Sequence, residues 1–359
     1  MKIYACRCGN LVHFENDRCV VCDARLAFSP ERNTLVAFDS EPPDGGRACK
    51  NGLDHHACNW LISAKDDQAF CKACRLNQVI PDLSDQEGRT AWVKIEQAKR
   101  RLVYTLLSWG LPLESKIQEP VRGLAFAFLR QQPDGPPVLT GHTDGLITLN
   151  IAEADDPFRE TTRQSLGETY RTLLGHLRHE SGHYYWDRLV RDDEALHASF
   201  RELFGDESVS YESSLESHYG SGEHVGWETD YVSNYAAAHP WEDWAETWAH
   251  YVHMWDTMET ASAYGVSLVP SQPSTVKEKP RMSATKTIAS ESFDDLLIGW
   301  AALTLAINGM NRSMGLHDAY PFAPSKKVHA KLRFVHDLVT RLRSGQGRAP
   351  AAAASSTRK

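Results

Sequence analysis

The sequence predicts an α+β chain, in which a small cysteine-rich N-terminal region precedes a mostly helical domain with a small sheet. Three observations predict it. All eight cysteines fall within the first 74 of 359 residues. Apolar residues alternate with period two only between about 121 and 152, and helical spacing dominates beyond that stretch. The length suits two or three domains. With 42 % apolar and 24 % charged residues the composition is globular, which excludes a mainly disordered chain, a collagen-like fibre or a coiled-coil rod. The expected divisions are a double four-cysteine region over 1–80, a linker and amphipathic helix over 81–120, the main domain over 121–344 and a disordered tail over 345–359.

The cysteines come first. Cys6, Cys8, Cys19 and Cys22 form two close pairs joined by LVHFENDR, long enough for a short β-turn-β excursion. Cys49, Cys58, Cys71 and Cys74 form a second set, and His55 and His56 stand near enough to replace one of its members. The start MKIYACRCGN has no apolar signal-peptide core, so a cytoplasmic location is expected. Thiols stay reduced there, which favours metal over disulfides. Two pairs of thiolates on tight turns arrange tetrahedrally around Zn²⁺, so each set reads as a structural zinc ribbon. The first pair is one residue shorter than the usual CxxC. Ribbons this small bury too little apolar surface to fold alone, and the ion supplies much of the folding energy.

After a polar linker, a helix is expected from Thr90, with Trp92, Ile95, Leu102, Leu106 and Trp109 near one face and Gly110 and Pro112 as the stop. Lys99, Arg100 and Arg101 read as its solvated side. Residues 123–130 and 146–151 are strand candidates flanking the turn-rich QQPDGPP. Asp155 and Asp156 suit the start of a helix, and 159–191 reads as helical. Residues 192–238 mix short helices with glycine-rich turns, and a helix begins near Pro240, whose fixed φ suits a first turn. Trp241, Trp244, Trp248 and Trp255 repeat along it at core spacing. A surface loop over 266–285 and helices over about 289–308 and 324–343 complete the chain. The longest apolar run, Leu296 to Ile307, is too short to span a bilayer.

The chemistry is carried by His179-Glu180-Ser181-Gly182-His183, an HExxH sequence on a predicted helix. Positions i and i+4 share a face, so both imidazoles can hold one Zn²⁺, and Glu180 stands where a general base would reach a water. Gly182 costs about 1 kcal/mol against alanine in a helix and reads as a site of close approach by a neighbouring strand. A catalytic zinc takes three protein ligands. Glu242 and Glu246, again i and i+4, offer a third ligand and a carboxylate that fixes a histidine tautomer. His239 and His250 are alternatives for the third ligand, and Asp187 reads as a hydrogen-bond partner or a solvated residue.

HExxH followed by a helix bearing ExxxE resembles the gluzincin metallopeptidases. RTLLGHLRHESGHYYWDRL with HPWEDWAETWAHYVH behind a zinc ribbon resembles, more narrowly, a bacterial family of zinc-binding metallopeptidases, over roughly residues 1–265. The resemblance implies a zincin-like domain and peptide-bond hydrolysis. It makes Glu242 the third ligand and Glu246 the carboxylate behind a ligand histidine. It makes Tyr235, seven residues before Glu242, the stabiliser of an oxyanion. One catalytic and two structural Zn²⁺ are implied, with a peptide or protein as substrate and an edge strand at 146–151 to receive it. With 47 acidic against 39 basic side chains, a formal charge of −8, membrane surfaces and nucleic acid are poor partners. A non-catalytic zinc scaffold is the rival reading.

Overall fold

The computed structural model describes residues 2–221, 225–269 and 282–344. The expected loop over 266–285 lies largely outside these, and the expected tail over 345–359 wholly so. Among the described residues no helix is long and apolar enough to cross a membrane.

In the cysteine-rich region a hairpin of β1 (Arg25–Ser29) and β2 (Thr34–Phe38) lies between the two cysteine sets. Its inner side joins Phe14, Phe28 and Trp60, whose rings pack edge-on or tilted at 4.9–6.1 Å. This small core is closed by Tyr104 from the next helix, 5.3 Å from Phe14 and 5.7 Å from Phe28. The region is thus packed into the same apolar core as the helices that follow.

That next helix, α1 (Gln86–Ser108), starts earlier than expected because the Asp85 carboxylate accepts from the backbone N–H groups of Glu87 and Gly88 and caps it. Its basic run is not a solvated face. Lys99 is fully buried beside fully buried Glu96 at 2.7 Å, and it also bonds Asn77. Arg100 is buried and donates to the Ala57 carbonyl, and only Arg101 reaches the surface, paired with Glu15 at 2.5 Å. The helix is covered on both sides, by the cysteine-rich region and by the helical domain, so one amphipathic stripe does not describe it.

The sheet has β3 (Asn77–Val79), β4 (Ala125–Leu129), β5 (Gly141–Thr143) and β6 (Leu146–Asn150) in the order β3-β4-β6-β5. β4 pairs parallel with β3 and β6, and β6 pairs antiparallel with β5. The expected edge at 146–151 is therefore interior; the edges are β3 and β5, and β5 is the one beside β6. The reason is the two-residue loop Asp144-Gly145, both with left-handed φ (47° and 83°), which turns a three-residue strand back on β6. A Cβ at position 145 would lie 2.4 Å from the Gly123 carbonyl oxygen.

Helices follow: α2 (Asp156–Ser165), capped by Asp155, then α3 (Leu173–Leu189), α4 (Glu194–Phe204), α5 (Tyr211–Ser221), α6 (Pro240–Ala263), α7 (Phe293–Ser313) and α8 (Lys326–Arg343). Pro240 opens α6 as expected. The His239 imidazole accepts from the Trp241 N–H there, so His239 caps the helix.

Candidate metal centre

Two helices build the site, and tryptophan holds them together. Trp244 of α6 donates its indole N–H to the Gly182 carbonyl (2.8 Å), and Trp248 donates to the Ser181 hydroxyl (3.1 Å). Both indoles are fully buried. Gly182 permits the crossing: a Cβ there would lie 2.9 Å from Ala245 Cα and 3.2 Å from Trp248 Cβ. The close neighbour is a helix, not the strand expected. Gly182→Ala is therefore expected to destabilise by about 1–3 kcal/mol, read as a lowered urea midpoint, because overpacking outweighs the better helix propensity.

This crossing brings the ligand candidates together. His179, His183 and Glu242 offer one donor atom each within 4.8 Å of one another. His179 Nε2 lies 3.2 Å from His183 Nε2 and 3.0 Å from Glu242 Oε2. Their side chains keep 12 %, 4 % and 1 % of their exposure. Donors about 2.0–2.1 Å from a tetrahedral ion stand roughly 3.3 Å apart, so the spacing suits zinc. Among the described residues, no lysine or arginine pairs with Glu180, Glu242 or Glu246, and the latter two face histidine ring nitrogens. Three carboxylates clustered with only imidazoles beside them favour added positive charge, which a divalent ion supplies.

The surrounding groups are ordered. Glu246 Oε1 lies 2.7 Å from His179 Nδ1, which leaves Nε2 free as a ligand atom. Burial would raise the Glu246 pKa, but the His179 hydrogen bond and charge outweigh it and hold it at about 2. Ser233 donates to Glu246 Oε2 at 2.7 Å. For Glu242 the same balance, against His183 and His179, keeps the carboxyl well below its usual range. Glu180 is buried, and its Oε2 has no protein partner. Burial, helped by the nearby Glu242 and Glu246 charges, raises its pKa despite the two imidazoles. The Tyr235 ring stands 5.8 Å from that of His179, and burial raises its hydroxyl well above the usual value.

The other third-ligand candidates are placed elsewhere. His250 is buried against Tyr320 (Nδ1 to Oη 2.8 Å), and burial lowers its pKa to about 4. His239 caps α6 through its Nδ1. Asp187, expected as a hydrogen-bond partner or a solvated residue, pairs with Arg191 at 2.8 Å. Sequence reasoning missed three neighbours. Tyr211 donates to Glu242 Oε1 at 2.7 Å. His142, on the edge strand, lies 6.2 Å from the His183 ring, and burial holds it neutral with a pKa of about 3. Trp241 packs on His183 at 3.9 Å, so it lines the site as well as packing against the core as expected. The Asp-Gly turn signal was available for His142; Tyr211 left no signal, being 31 residues from its partner.

The cysteines also gather in fours: Cys6, Cys8, Cys19 and Cys22 in one group, and Cys49, Cys58, Cys71 and Cys74 in the other. Sulfur separations of 3.6 Å (Cys6–Cys22) and 3.7 Å (Cys8–Cys19 and Cys58–Cys71) fit thiolates at 2.3 Å from zinc, about 3.8 Å apart in a tetrahedron. Neither His55 nor His56 belongs to the second group. His55 packs on Trp92, and His56 takes a left-handed conformation that ends a short helix.

Residues 3–85 match a family model described as a zinc-ribbon domain, and residues 88–338 match one described as "putative zinc-binding metallo-peptidase". Uncharacterized proteins of Mycobacterium tuberculosis H37Rv and Mycobacterium bovis are each 38 % identical over 340 residues, covering 94 % of this chain and 95 % of theirs. No solved structure matches. The second model spans the helix crossing and all the residues gathered at it, and the chain belongs to this zinc-binding metallopeptidase family.

Proposed function

We propose that the protein is a zinc-dependent peptidase that hydrolyses peptide bonds with a zinc-activated water. The observation that carries this reading is the buried, unpartnered Oε2 of Glu180 beside the convergent donors of His179, His183 and Glu242. A scaffold has no need of a desolvated carboxylate there, whereas a general base is improved by one. Zinc, when bound, supplies Lewis-acid polarisation and brings the pKa of a water toward about 7. Glu180 accepts the proton and later delivers it to the leaving amine. Glu246 holds the His179 tautomer, and Tyr235 donates toward the oxyanion that develops on the substrate carbonyl. An extended peptide pairs along β5, beside His142 and Trp241. Zinc held by four thiolates in each ribbon, in a reducing, cytoplasmic setting, accords with eight free thiols clustered in fours.

Metal analysis tests the site directly. The purified protein is expected to carry three zincs per chain, and brief chelation to remove one while leaving the far-ultraviolet circular dichroism intact. The His/Glu ion exchanges readily because its coordination stays open, and the thiolate ions do not. Two zincs that resist the chelator, with no third, would favour the scaffold.

A further inference from the structure

The two oxygens of Glu242 stand in different surroundings. Oε2 faces His179 Nε2 at 3.0 Å, is buried and has no hydrogen-bond partner among the described residues. Oε1, 3.5 Å from His183 Nε2, accepts the Tyr211 hydroxyl at 2.7 Å. A carboxylate with both oxygens free can take an ion through both and so fill the position a reacting water needs. A hydroxyl donating to one oxygen removes that option and sets which atom faces the ion.

The donor does not belong to the core. Tyr211 is the first residue of α5 and is 39 % exposed, its ring edge-on to His239 and Trp241 at 5.2 and 6.0 Å. Residues 211–220 contribute no fully buried side chain. The helix is flanked by Gly205 and Gly226, both at positive φ. Besides Tyr211, its hold on the site includes His218, whose ring lies 6.2 Å from that of Tyr235. A surface helix is thus fastened over the centre by a hydrogen bond to a ligand carboxylate.

We propose that Tyr211 is a positioning residue that limits Glu242 to coordination through Oε2 and latches α5 over the site, so that metal occupancy and α5 docking reinforce each other. The inference rests on the metal reading above. Reciprocity is required: a bond that strengthens the ion's site is itself strengthened when the ion is present.

The test uses the full chain and zinc alone. Tyr211→Phe is compared with Tyr219→Phe, which alters an exposed tyrosine on the same helix. Zinc affinity at the exchangeable site is read by competition with a chromophoric chelator. Docking of α5 is read by the rate of glutamyl endopeptidase cleavage after Glu212 and Glu216, and folding by the thermal midpoint. Tyr211→Phe is expected to bind zinc about ten-fold more weakly. It should also be cut faster at those glutamates with zinc present, while its thermal midpoint with the exchangeable zinc removed stays that of the native protein. Tyr219→Phe should behave as the native protein, and stripping the exchangeable zinc from the native protein should speed the same cuts. Zinc affinity within about two-fold of native in Tyr211→Phe would overturn the ligand role. Weaker zinc with unaltered cleavage would overturn the latch. A native protein with no exchangeable zinc would overturn the metal reading itself, and this role with it.

Discussion

Glu180→Gln is expected to retain the zinc content of the native protein and, on the peptidase proposal, to lose peptide-bond hydrolysis by about 10²–10⁴-fold or more, measured on a mixed peptide library. Glutamine keeps the size of glutamate but has no carboxylate to take a proton. The native carboxylate is buried with one oxygen unpartnered, and burial raises its pKa. Glu180 is not among the three ligand candidates, so metal retention separates loss of the base from loss of the site. Hydrolysis that survives the substitution would remove Glu180 from the mechanism. Native protein without hydrolysis on any library peptide, yet with an exchangeable third zinc, would turn the reading toward the scaffold.

The second large effect lies far from the chemistry. Lys99→Ala is expected to cost about 3–5 kcal/mol in urea unfolding, because it leaves the Glu96 carboxylate buried without its cation. Both side chains are fully inaccessible and 2.7 Å apart. Glu96 also accepts from Asn77 Nδ2 at 2.8 Å and lies 3.6 Å from the Cys74 sulfur, so the pair sits between the second cysteine group and the sheet. Arg101→Ala, two residues on, is expected to cost at most about 1 kcal/mol, since its pair with Glu15 is partly solvated. Equal losses in the two variants would contradict the buried network.

That contrast marks what the sequence did not reveal. Lys99, Arg100 and Arg101 are one basic run, and nothing local separates them. Only the second covering of α1, by Ala57, Asn77 and the cysteine-rich region, decides that two are interior. The edge strand shows the converse case. Asp144-Gly145 is a strong hairpin signal, yet three residues are too few to display a period, so 146–151 reads as the edge. Trp241 shares its spacing with Trp244 and Trp248, and spacing cannot tell which ring turns to His183.

Two imidazoles on one helical turn, two carboxylates on another and eight cysteines in two tight groups were legible without coordinates, because each depends on residues at most a few tens of positions apart and on fixed backbone periods. Tertiary structure alone decided that Glu242 meets His179 and His183 across the Gly182 crossing, that Ser233 and Tyr211 hold the carboxylates, and that β5 borders the site. The physical reason is range. Helix and turn geometry follow from neighbouring dihedrals, whereas the meeting of segments some 60 residues apart depends on which faces pack, and here the indoles of Trp244 and Trp248 seal that packing.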